Sequence, residues 1–280
     1  MSKFDGGLVL QRFRLQRHVY RRPNRLVVFA AFDEDSNKEV VVKVALGSFA
    51  AEQMENERRL LEGALSQVPQ VPRVLGSGHA QYQIDGQLQR VQVLVESPLG
   101  LQTWSGDDDL MSTAFSVFEI LLRVHEAGVV HRDVKPANVI IGPDHLPVLI
   151  DFGVACKYDE PKNVVEIPGT LSFVSRAVFN GLQPNLSTDI DSLVLSIQAL
   201  EMGVDKWERI EHPSGRPAEA GVALALRNRI EECMRNHPPS HRPCPAPASF
   251  SSTASSSTTI KLAALTVAVG VLWLCVWGAG

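Results

Sequence analysis

The amino-terminal third of the chain alternates short apolar runs with polar turns, which is the pattern of an antiparallel β-sheet. Apolar runs at 8–15, 27–32 and 40–45 predict strands, and the Asp-Glu-Asp-Ser-Asn sequence at 33–37 predicts the turn between the last two. A further apolar run at 91–95 predicts another strand. We therefore expect this region to form a sheet.

Helical spacing of apolar residues predicts one helix within the sheet region and a predominance of helices afterwards. In the segment 49–65, Met54, Leu60, Leu61 and Leu65 fall roughly on one stripe. Further helices are predicted at 110–127, 190–203 and 219–235. The overall pattern is that of an α+β protein.

A short β-hairpin is predicted inside the helical region. Its apolar runs at 139–141 and 148–150 are separated by the turn sequence Gly-Pro-Asp at 142–144. Because a hairpin returns the chain to its starting point, Asn138 at the near end should face Asp151 at the far end. A carboxylate and an amide oxygen that converge in this way form a hard-oxygen site that suits Mg²⁺.

The polar residues around this hairpin form a spaced motif. His-Arg-Asp occupies 131–133, Lys135 and Asn138 follow on a loop interrupted by Pro136, and Asp-Phe-Gly occupies 151–153. The stretch resembles the catalytic loop and the Asp-Phe-Gly segment of eukaryotic protein kinases, because every part stands at the family's position. A match in so many parts is far more specific than a single glycine motif.

This resemblance implies a role for each polar side chain of the motif. Asp133 would orient or deprotonate the acceptor hydroxyl, and Lys135 would contact the γ-phosphate of ATP. Asn138 and Asp151 would hold Mg²⁺ and so help to bind the nucleotide. Lys135 also favours serine/threonine over tyrosine substrates.

The resemblance extends into the sheet region. Lys43 lies in a Val-Val-Lys-Val-Ala sequence like that of the third strand of a kinase, where an inward lysine holds the α- and β-phosphates of ATP. Glu57, which precedes the Leu-Leu pair at 60–61, is assigned as the ion-pair partner of Lys43, and Glu55 is the alternative. The strand at 91–95 then leads into the expected hinge.

The fold implied by the resemblance is the two-lobed protein kinase fold, with a small antiparallel sheet lobe that carries one helix and a larger helical lobe. We expect the small lobe at 1–97 and the large lobe at 98–243. Asp189 is expected to open the central helix of the large lobe and to brace the catalytic loop. Asp191 is the competing choice.

Residues 16–25 depart from the family, which places glycines in the loop between the first two strands. This chain has no glycine there, so close approach of its backbone to the phosphates is not expected. Arg21, Arg22 or Arg25 is a candidate to replace the amide contacts, because a guanidinium suits phosphate geometry. The alternative is a solvated basic face or a membrane-surface patch.

A second departure lies after the Gly-Thr pair at 169–170. Arg176 and Ala177 stand where the family has Pro-Glu. That glutamate usually pairs with an arginine late in the domain, which Arg242 matches here. Without a carboxylate at position 177 the buried ion pair cannot form, so the support of the peptide-binding segment is in question.

Composition excludes several classes of protein. A chain of 280 residues with a formal net charge of −4 gives no reason to expect a nucleic-acid partner. The four cysteines are scattered, which argues against a disulfide framework or a zinc site and fits a reducing compartment. Residues 1–20 lack the apolar core of a signal peptide, so we expect the body not to be secreted.

Composition changes abruptly after residue 243. Residues 244–260, rich in Pro, Ser, Thr and Ala, predict a flexible linker. Residues 261–280 include nineteen consecutive uncharged residues, enough for a helix to span a bilayer core of about 30 Å. With Lys261 at one interface and Trp273 and Trp277 towards the other, we expect a transmembrane anchor with the kinase domain facing the cytosol. A glycolipid-anchor signal, which has a similar layout, is a minor alternative.

Together these features predict a membrane-anchored kinase that uses ATP and Mg²⁺ to phosphorylate Ser/Thr hydroxyls of protein substrates. The first alternative is a catalytically weak pseudokinase that acts as a membrane-bound scaffold. The missing glycines and Ala177 favour it, and the intact polar residues of the motif oppose it. The second is a small-molecule kinase of the aminoglycoside or choline type, against which Lys135 and the Phe-Gly pair at 152–153 argue.

Overall fold

A computed structural model describes residues 8–84, 86–106, 109–158, 169–210 and 215–236. They belong to the first of the two units into which the chain divides, residues 1–241. The second unit, 242–280, lies outside the described residues. A sheet with one helix comes first along the chain and a mainly helical region follows, as the two-lobed α+β fold requires.

The sheet region contains five long strands. They are β1 Phe13–Arg22, β2 Leu26–Asp33, β3 Lys38–Ala45, β4 Arg73–Ile84 and β5 Gln87–Ser97. Their spatial order is β1-β2-β3-β5-β4, and every neighbouring pair is antiparallel. The order places β3 and β5, which carry the residues of interest, side by side in the middle of the sheet.

The helix α1, Ser48–Glu62, packs against this sheet. The apolar stripe predicts a helix over 49–65, and the helix ends earlier because the chain leaves helical geometry at Gly63. Met54 is buried against Leu94 of β5. This contact fixes the distance between α1 and the central strands.

Both faces of the sheet bury side chains, and β3 is apolar at five of its eight positions. On one face, Val42 packs with Val27 and Val93 in a buried cluster. The opposite face carries Lys43 and its cross-strand partner Leu94, and this is the face that α1 covers. Side chains that alternate along β3 therefore point to two different environments.

The first strand begins and ends later than the apolar run at 8–15 predicts. Residues 10–12 form a turn, and β1 then continues through most of the stretch expected to be a loop, as far as the pairing of Arg22 with Leu26. Two irregularities in the register shift the alternation of side chains, so no period-two pattern is visible in the sequence. The turn that joins β1 to β2 is confined to 23–25.

The described part of the helical region contains further α-helices, short strands and 3₁₀ turns. The helices are α2 Leu110–Glu126, α3 Arg176–Phe179, α4 Leu186–Met202, α5 Val204–Glu208 and α6 Gly221–Asn236. The strands are β6 Gln102–Thr103, β7 Val129–Val130, β8 Val139–Ile141, β9 Pro147–Leu149 and β10 Cys156–Lys157, and the 3₁₀ turns are Pro136–Asn138 and Leu171–Phe173. Helices α2, α4 and α6 share a buried core that includes Phe118, Leu193 and Leu226.

Side-chain caps fix where two of these helices begin. Asp109 accepts a hydrogen bond at the start of α2. Asn185 and Thr188 form a reciprocal capping box at the start of α4. The capping box explains why α4 begins at Leu186, earlier than the predicted 190–203.

The predicted hairpin is confirmed. Val139 of β8 lies opposite Leu149 of β9, and β6 adds a third strand beside β8. At the open end of the hairpin, the backbone N–H of Ile150 donates a 2.9 Å hydrogen bond to the carbonyl of Asn138. This bond places Asp151 next to Asn138.

No helix in the described part of the chain is long and apolar enough to cross a membrane. The predicted linker at 244–260 and the predicted transmembrane helix at 261–280 both lie outside the described residues, as does Arg242.

Candidate active site

The loop between β7 and β8 presents the carboxylate of Asp133, which is largely buried. Lys135 donates a 2.8 Å hydrogen bond from Nζ to Asp133 Oδ2, and Asn138 donates one of 3.0 Å from Nδ2 to the same oxygen. The other oxygen, Oδ1, accepts the backbone N–H of Thr170 at 2.8 Å. Three hydrogen bonds therefore hold this carboxylate in one orientation.

Thr170 completes the arrangement, and the sequence did not single it out as a site residue. Its hydroxyl Oγ1 accepts a 2.7 Å hydrogen bond from Lys135 Nζ. The close approach of Thr170 to the catalytic loop depends on Gly169. This residue has φ of +85°, and a Cβ there would lie 2.4 Å from the carbonyl oxygen of Arg132. Any other residue at position 169 would push this segment away from the catalytic loop.

Asn138 and Asp151 offer oxygen atoms suited to a hard cation. Because the amide Nδ2 of Asn138 donates to Asp133, its Oδ1 remains available as a ligand. Asp151 is exposed, adopts φ of +67° and follows the hairpin bond that brings it beside Asn138. In the described ranges no cluster of three His, Cys, Asp or Glu residues could hold a metal by itself. This donor set fits Mg²⁺, which takes few protein ligands and completes its shell with phosphate oxygens and water.

Lys43 lies on the sheet face that α1 covers, and it contacts two carboxylates. Its Nζ is 2.7 Å from Glu57 Oε2 and 2.8 Å from Glu96 Oε2. Glu55, the alternative partner, instead pairs with Arg58 on the helix surface. The sequence pointed to Glu57 and missed Glu96, which lies on β5 at the start of the expected hinge.

Burial and like charges set the protonation of this cluster. Burial and the neighbouring Glu96 raise the pKa of Glu57 to about 8, although Lys43 opposes the shift. Burial alone would lower the pKa of Lys43, but the carboxylates of Glu57, Glu96 and Asp151 raise it above its usual value. The lysine is therefore charged at neutral pH, and the acidic residues around it outnumber it.

Helix α1 also anchors the Asp-Phe-Gly segment. Glu57 Oε1 accepts the backbone N–H of Phe152 at 2.9 Å, and Asn56 Nδ2 donates to the carbonyl of Gly153 at 3.0 Å. The buried ring of Phe152 packs edge-on against His131, with centroids 4.8 Å apart. Asn56 is another residue that the sequence did not single out, since a lone helical asparagine carries no pattern.

Asp189 braces the catalytic loop, as predicted. Its carboxylate accepts the backbone N–H groups of His131 at 2.8 Å and Arg132 at 2.9 Å, and it contacts His125 Nε2 at 2.8 Å. Burial alone would raise the pKa of Asp189, but the hydrogen bond from His125 and the backbone bond from Arg132 bring the pKa below its usual value. Asp191, the competing choice, pairs with Arg227 instead.

The segment around the Leu171–Phe173 turn is held by residues that the sequence did not suggest. Arg216 donates to the carbonyl of Val174 at 2.6 Å and to that of Leu171 at 2.9 Å. Trp207, fully buried, donates from Nε1 to the carbonyl of Ser172 at 2.9 Å. These bonds support the segment although Ala177 lacks a carboxylate.

Comparison with known families agrees with this geometry. A family model described as "Protein kinase domain" matches residues 26–217. The chain belongs to the protein kinase family. The match begins at Leu26, so strand β1 of this kinase lies before the matched region.

Individual relatives are similar to this chain over parts of its length. The serine/threonine-protein kinase PkaB of Streptomyces coelicolor is 38% identical over 93 residues, which cover 30% of this chain and 22% of the relative. The probable serine/threonine-protein kinase PkwA of Thermomonospora curvata is 32% identical over 140 residues, which cover 47% of this chain and 19% of the relative. The chain therefore spans about a fifth of the length of these curated relatives.

The bracing role of Asp189 predicts a large stability effect. Asp189→Asn should lower the free energy of unfolding by about 3 to 5 kcal/mol, because it removes a buried charge that three donors face. Asp191→Asn is the matched control and should cost less than about 1 kcal/mol, because its ion pair is partly exposed. Denaturant unfolding measures both values.

The stability difference between the unchanged protein and Asp189→Asn should also depend on pH. A carboxylate whose pKa is lowered by folding stabilises the protein above its unfolded pKa, and this stability is lost as the pH falls through the lowered value. The difference between the unchanged protein and Asp189→Asn should therefore shrink in acid. Equal costs for the two substitutions at neutral pH would contradict the bracing role.

Proposed function

We propose that this kinase transfers the γ-phosphate of ATP to serine or threonine hydroxyls of protein substrates. The observation that supports the proposal most strongly is the contact of Asp133, Lys135 and Thr170 in one hydrogen-bonded group. A base and a cation lie on the loop that Asp189 braces, and the hydroxyl of Thr170 joins them from the segment after Gly169. Serine/threonine-protein kinases among the relatives support the same substrate class.

Donor and acceptor counts at this group fit the proposed roles. An ionised carboxylate has about four lone-pair sites, and three hydrogen bonds already reach Asp133. One site remains to accept the proton of a substrate hydroxyl. The ammonium of Lys135 uses two of its three donors on Asp133 and Thr170. The third is available to a γ-phosphate oxygen.

The nucleotide would lie between this loop and the sheet. Lys43, positioned by Glu57, would contact the phosphates, and Asn138 with Asp151 would hold Mg²⁺. The bound cation would neutralise charge on the phosphoryl oxygens. The residues around it keep the acceptor hydroxyl and the phosphates in line, which is the main contribution a protein makes to this reaction.

The deciding experiment measures transfer of labelled γ-phosphate from Mg·ATP by the full chain to a generic protein acceptor. Asp133→Ala should lower the rate by roughly 10²- to 10⁴-fold, which is the usual contribution of a general base. Asp205→Ala, at an exposed position on α5, is the control and should leave the rate unchanged. Label on tyrosine alone, or equal rates for both variants, would overturn the proposal.

The pseudokinase remains the second candidate, because residues 16–25, which include the turn between β1 and β2, contain no glycine. In the same experiment, nucleotide-dependent thermal stabilisation without any transfer would support a scaffold. Phosphorylation of aminoglycosides or choline without protein phosphorylation would support a small-molecule kinase.

The hairpin geometry favours Arg22 over Arg21, and the guanidinium of Arg25 instead lies 5.2 Å from the ring centroid of Phe49. Paired residues share a face of the sheet, and Arg22 pairs with Leu26, which packs on the α1 side with Ala45 and Met54. Arg21 pairs with Val27, which lies in the cluster on the opposite face. We therefore propose that Arg22 is the arginine that reaches the phosphates.

Substitution of these neighbours provides a matched pair. Arg22→Ala should raise the apparent KM for ATP by roughly three- to tenfold, since one charge-assisted contact is lost. Arg21→Ala removes the same charge from the same hairpin and should change the KM of the unchanged protein by less than about twofold. Steady-state kinetics at fixed protein acceptor measures both, and equal changes would show that only net charge matters.

We also propose that residues 261–280 anchor the kinase in a membrane, with the kinase domain in the cytosol. The support is the uncharged run that follows a polar linker, and the scattered cysteines, which fit a reducing compartment.

Flotation of the full chain with liposomes tests the anchor. The unchanged chain should float and should resist extraction by high salt. Val269→Lys with Leu272→Lys should abolish flotation, because each lysine costs about 2.5 to 3.5 kcal/mol at the centre of a bilayer. A salt-extractable unchanged chain would contradict insertion.

A further inference from the structure

Glu96 is a buried carboxylate that the proposed reaction does not use. On β5 it lies opposite Val41, and Leu94 lies opposite Lys43, so Glu96 and Lys43 share one face of the sheet. This face is the one covered by α1 rather than the one that buries Val42 and Val93. Only 3% of Glu96 is exposed.

The contacts of Glu96 are incomplete. Its Oε2 pairs with Lys43 Nζ at 2.8 Å, and its Oε1 is buried with no hydrogen-bond partner in the described structure. Glu57, by contrast, uses both oxygens, one on Lys43 and one on the backbone of Phe152. Glu96 is therefore the surplus acid of the cluster, because the cluster is complete without it.

Because Lys43 contacts two carboxylates, fewer of its N–H donors remain for a ligand. An ammonium group has three N–H donors, and Glu57 and Glu96 each face one of them. A single donor is left for phosphate oxygens. A lysine paired only with Glu57 would have two.

The charges around Lys43 also disfavour the binding of phosphate groups. Lys43 contributes one positive charge, and three acidic residues, Glu57, Glu96 and Asp151, lie near enough to raise its pKa. Phosphate groups are repelled by an excess of carboxylates, and the repulsion is strong where water is excluded. Glu96 is the member of this group whose removal leaves a neutral Lys43–Glu57 pair.

We propose that Glu96 competes with the nucleotide for Lys43 and thereby sets a weak affinity for Mg·ATP. The proposal rests on the proposed function, in that the cleft beside Lys43 binds ATP. It makes Glu96 a positioning residue that acts through Lys43 rather than a group that touches the reacting atoms.

Calorimetric titration of the full chain with Mg·ATP tests the proposal. Glu96→Gln, which removes the charge, should tighten the Kd about tenfold. Glu96→Leu, which also frees a donor of Lys43, should tighten it further, since a hydrogen bond to a charged group is worth about tenfold or more. Glu39→Gln removes the same charge from an exposed position of β3 and should not change the Kd.

A further titration separates this role from a purely structural one. Adenosine has no phosphates, so its Kd should be equal in the unchanged protein and in Glu96→Gln. A gain in affinity cannot arise from misfolding.

Several outcomes would overturn the proposal. They are an unchanged or weaker Kd for Mg·ATP in Glu96→Gln, an equal gain for adenosine, and an equal gain in Glu39→Gln. Tighter binding by Glu96→Gln without phosphate transfer by any variant would leave the proposal standing and would overturn the kinase function. Phosphate transfer by the unchanged protein, together with an unchanged Kd for Mg·ATP in Glu96→Gln, would support the kinase function and overturn the role of Glu96.

Discussion

The arrangement of the site depends on the carboxylate of Glu57, which joins the two halves of the described structure. One oxygen contacts Lys43 on the sheet, and the other accepts the backbone N–H of Phe152 beside Asp151. Because Glu57 is buried, neither contact can be replaced by water at low cost. Any displacement of α1 would therefore move the lysine and the candidate metal ligand together.

The residues that the sequence located belong to local motifs. Asp133, Lys135 and Asn138 lie within one loop, and the short apolar runs of the hairpin predicted correctly that Asp151 returns to it. The assignment of Asp189 rests on the resemblance of the sequence around it to the family, which left Asp191 as the competing choice. In each case the information lay within a few neighbouring residues.

The residues that the sequence missed depend on pairing between distant segments. Glu96 ends an apolar run, and its side chain can be assigned to the face of Lys43 only when the register of β3 and β5 is known. The available signal was the alternation Leu94-Val-Glu96. It places a charged residue on the sheet face that carries an apolar residue two positions earlier. Arg216 approaches its carbonyl partners from a part of the chain 42 residues away from Val174, and no local pattern marks it.

The extended β1 has an electrostatic consequence for the cleft. With the strand continuing to Arg22, a cation projects on the face that also carries Lys43. The opposite end of that face holds Glu96, so charges of both signs act on a phosphate placed between them. In the proposed nucleotide complex, a guanidinium contact on one side would offset the surplus carboxylate on the other, whereas a glycine-rich loop would supply neutral amide donors.

The two halves of the site differ in how completely they are assembled. Asp133, Lys135 and Thr170 are already hydrogen-bonded to one another, and Asp189 fixes the loop that carries them. On the nucleotide side, Lys43 is divided between two acids and one carboxylate oxygen is unsatisfied. Preorganised groups cost no further reorganisation during the reaction, so the catalytic loop imposes little barrier of its own. In the proposed reaction, the constraint on turnover would then fall on capture of the nucleotide, and it would be expressed in KM rather than in kcat.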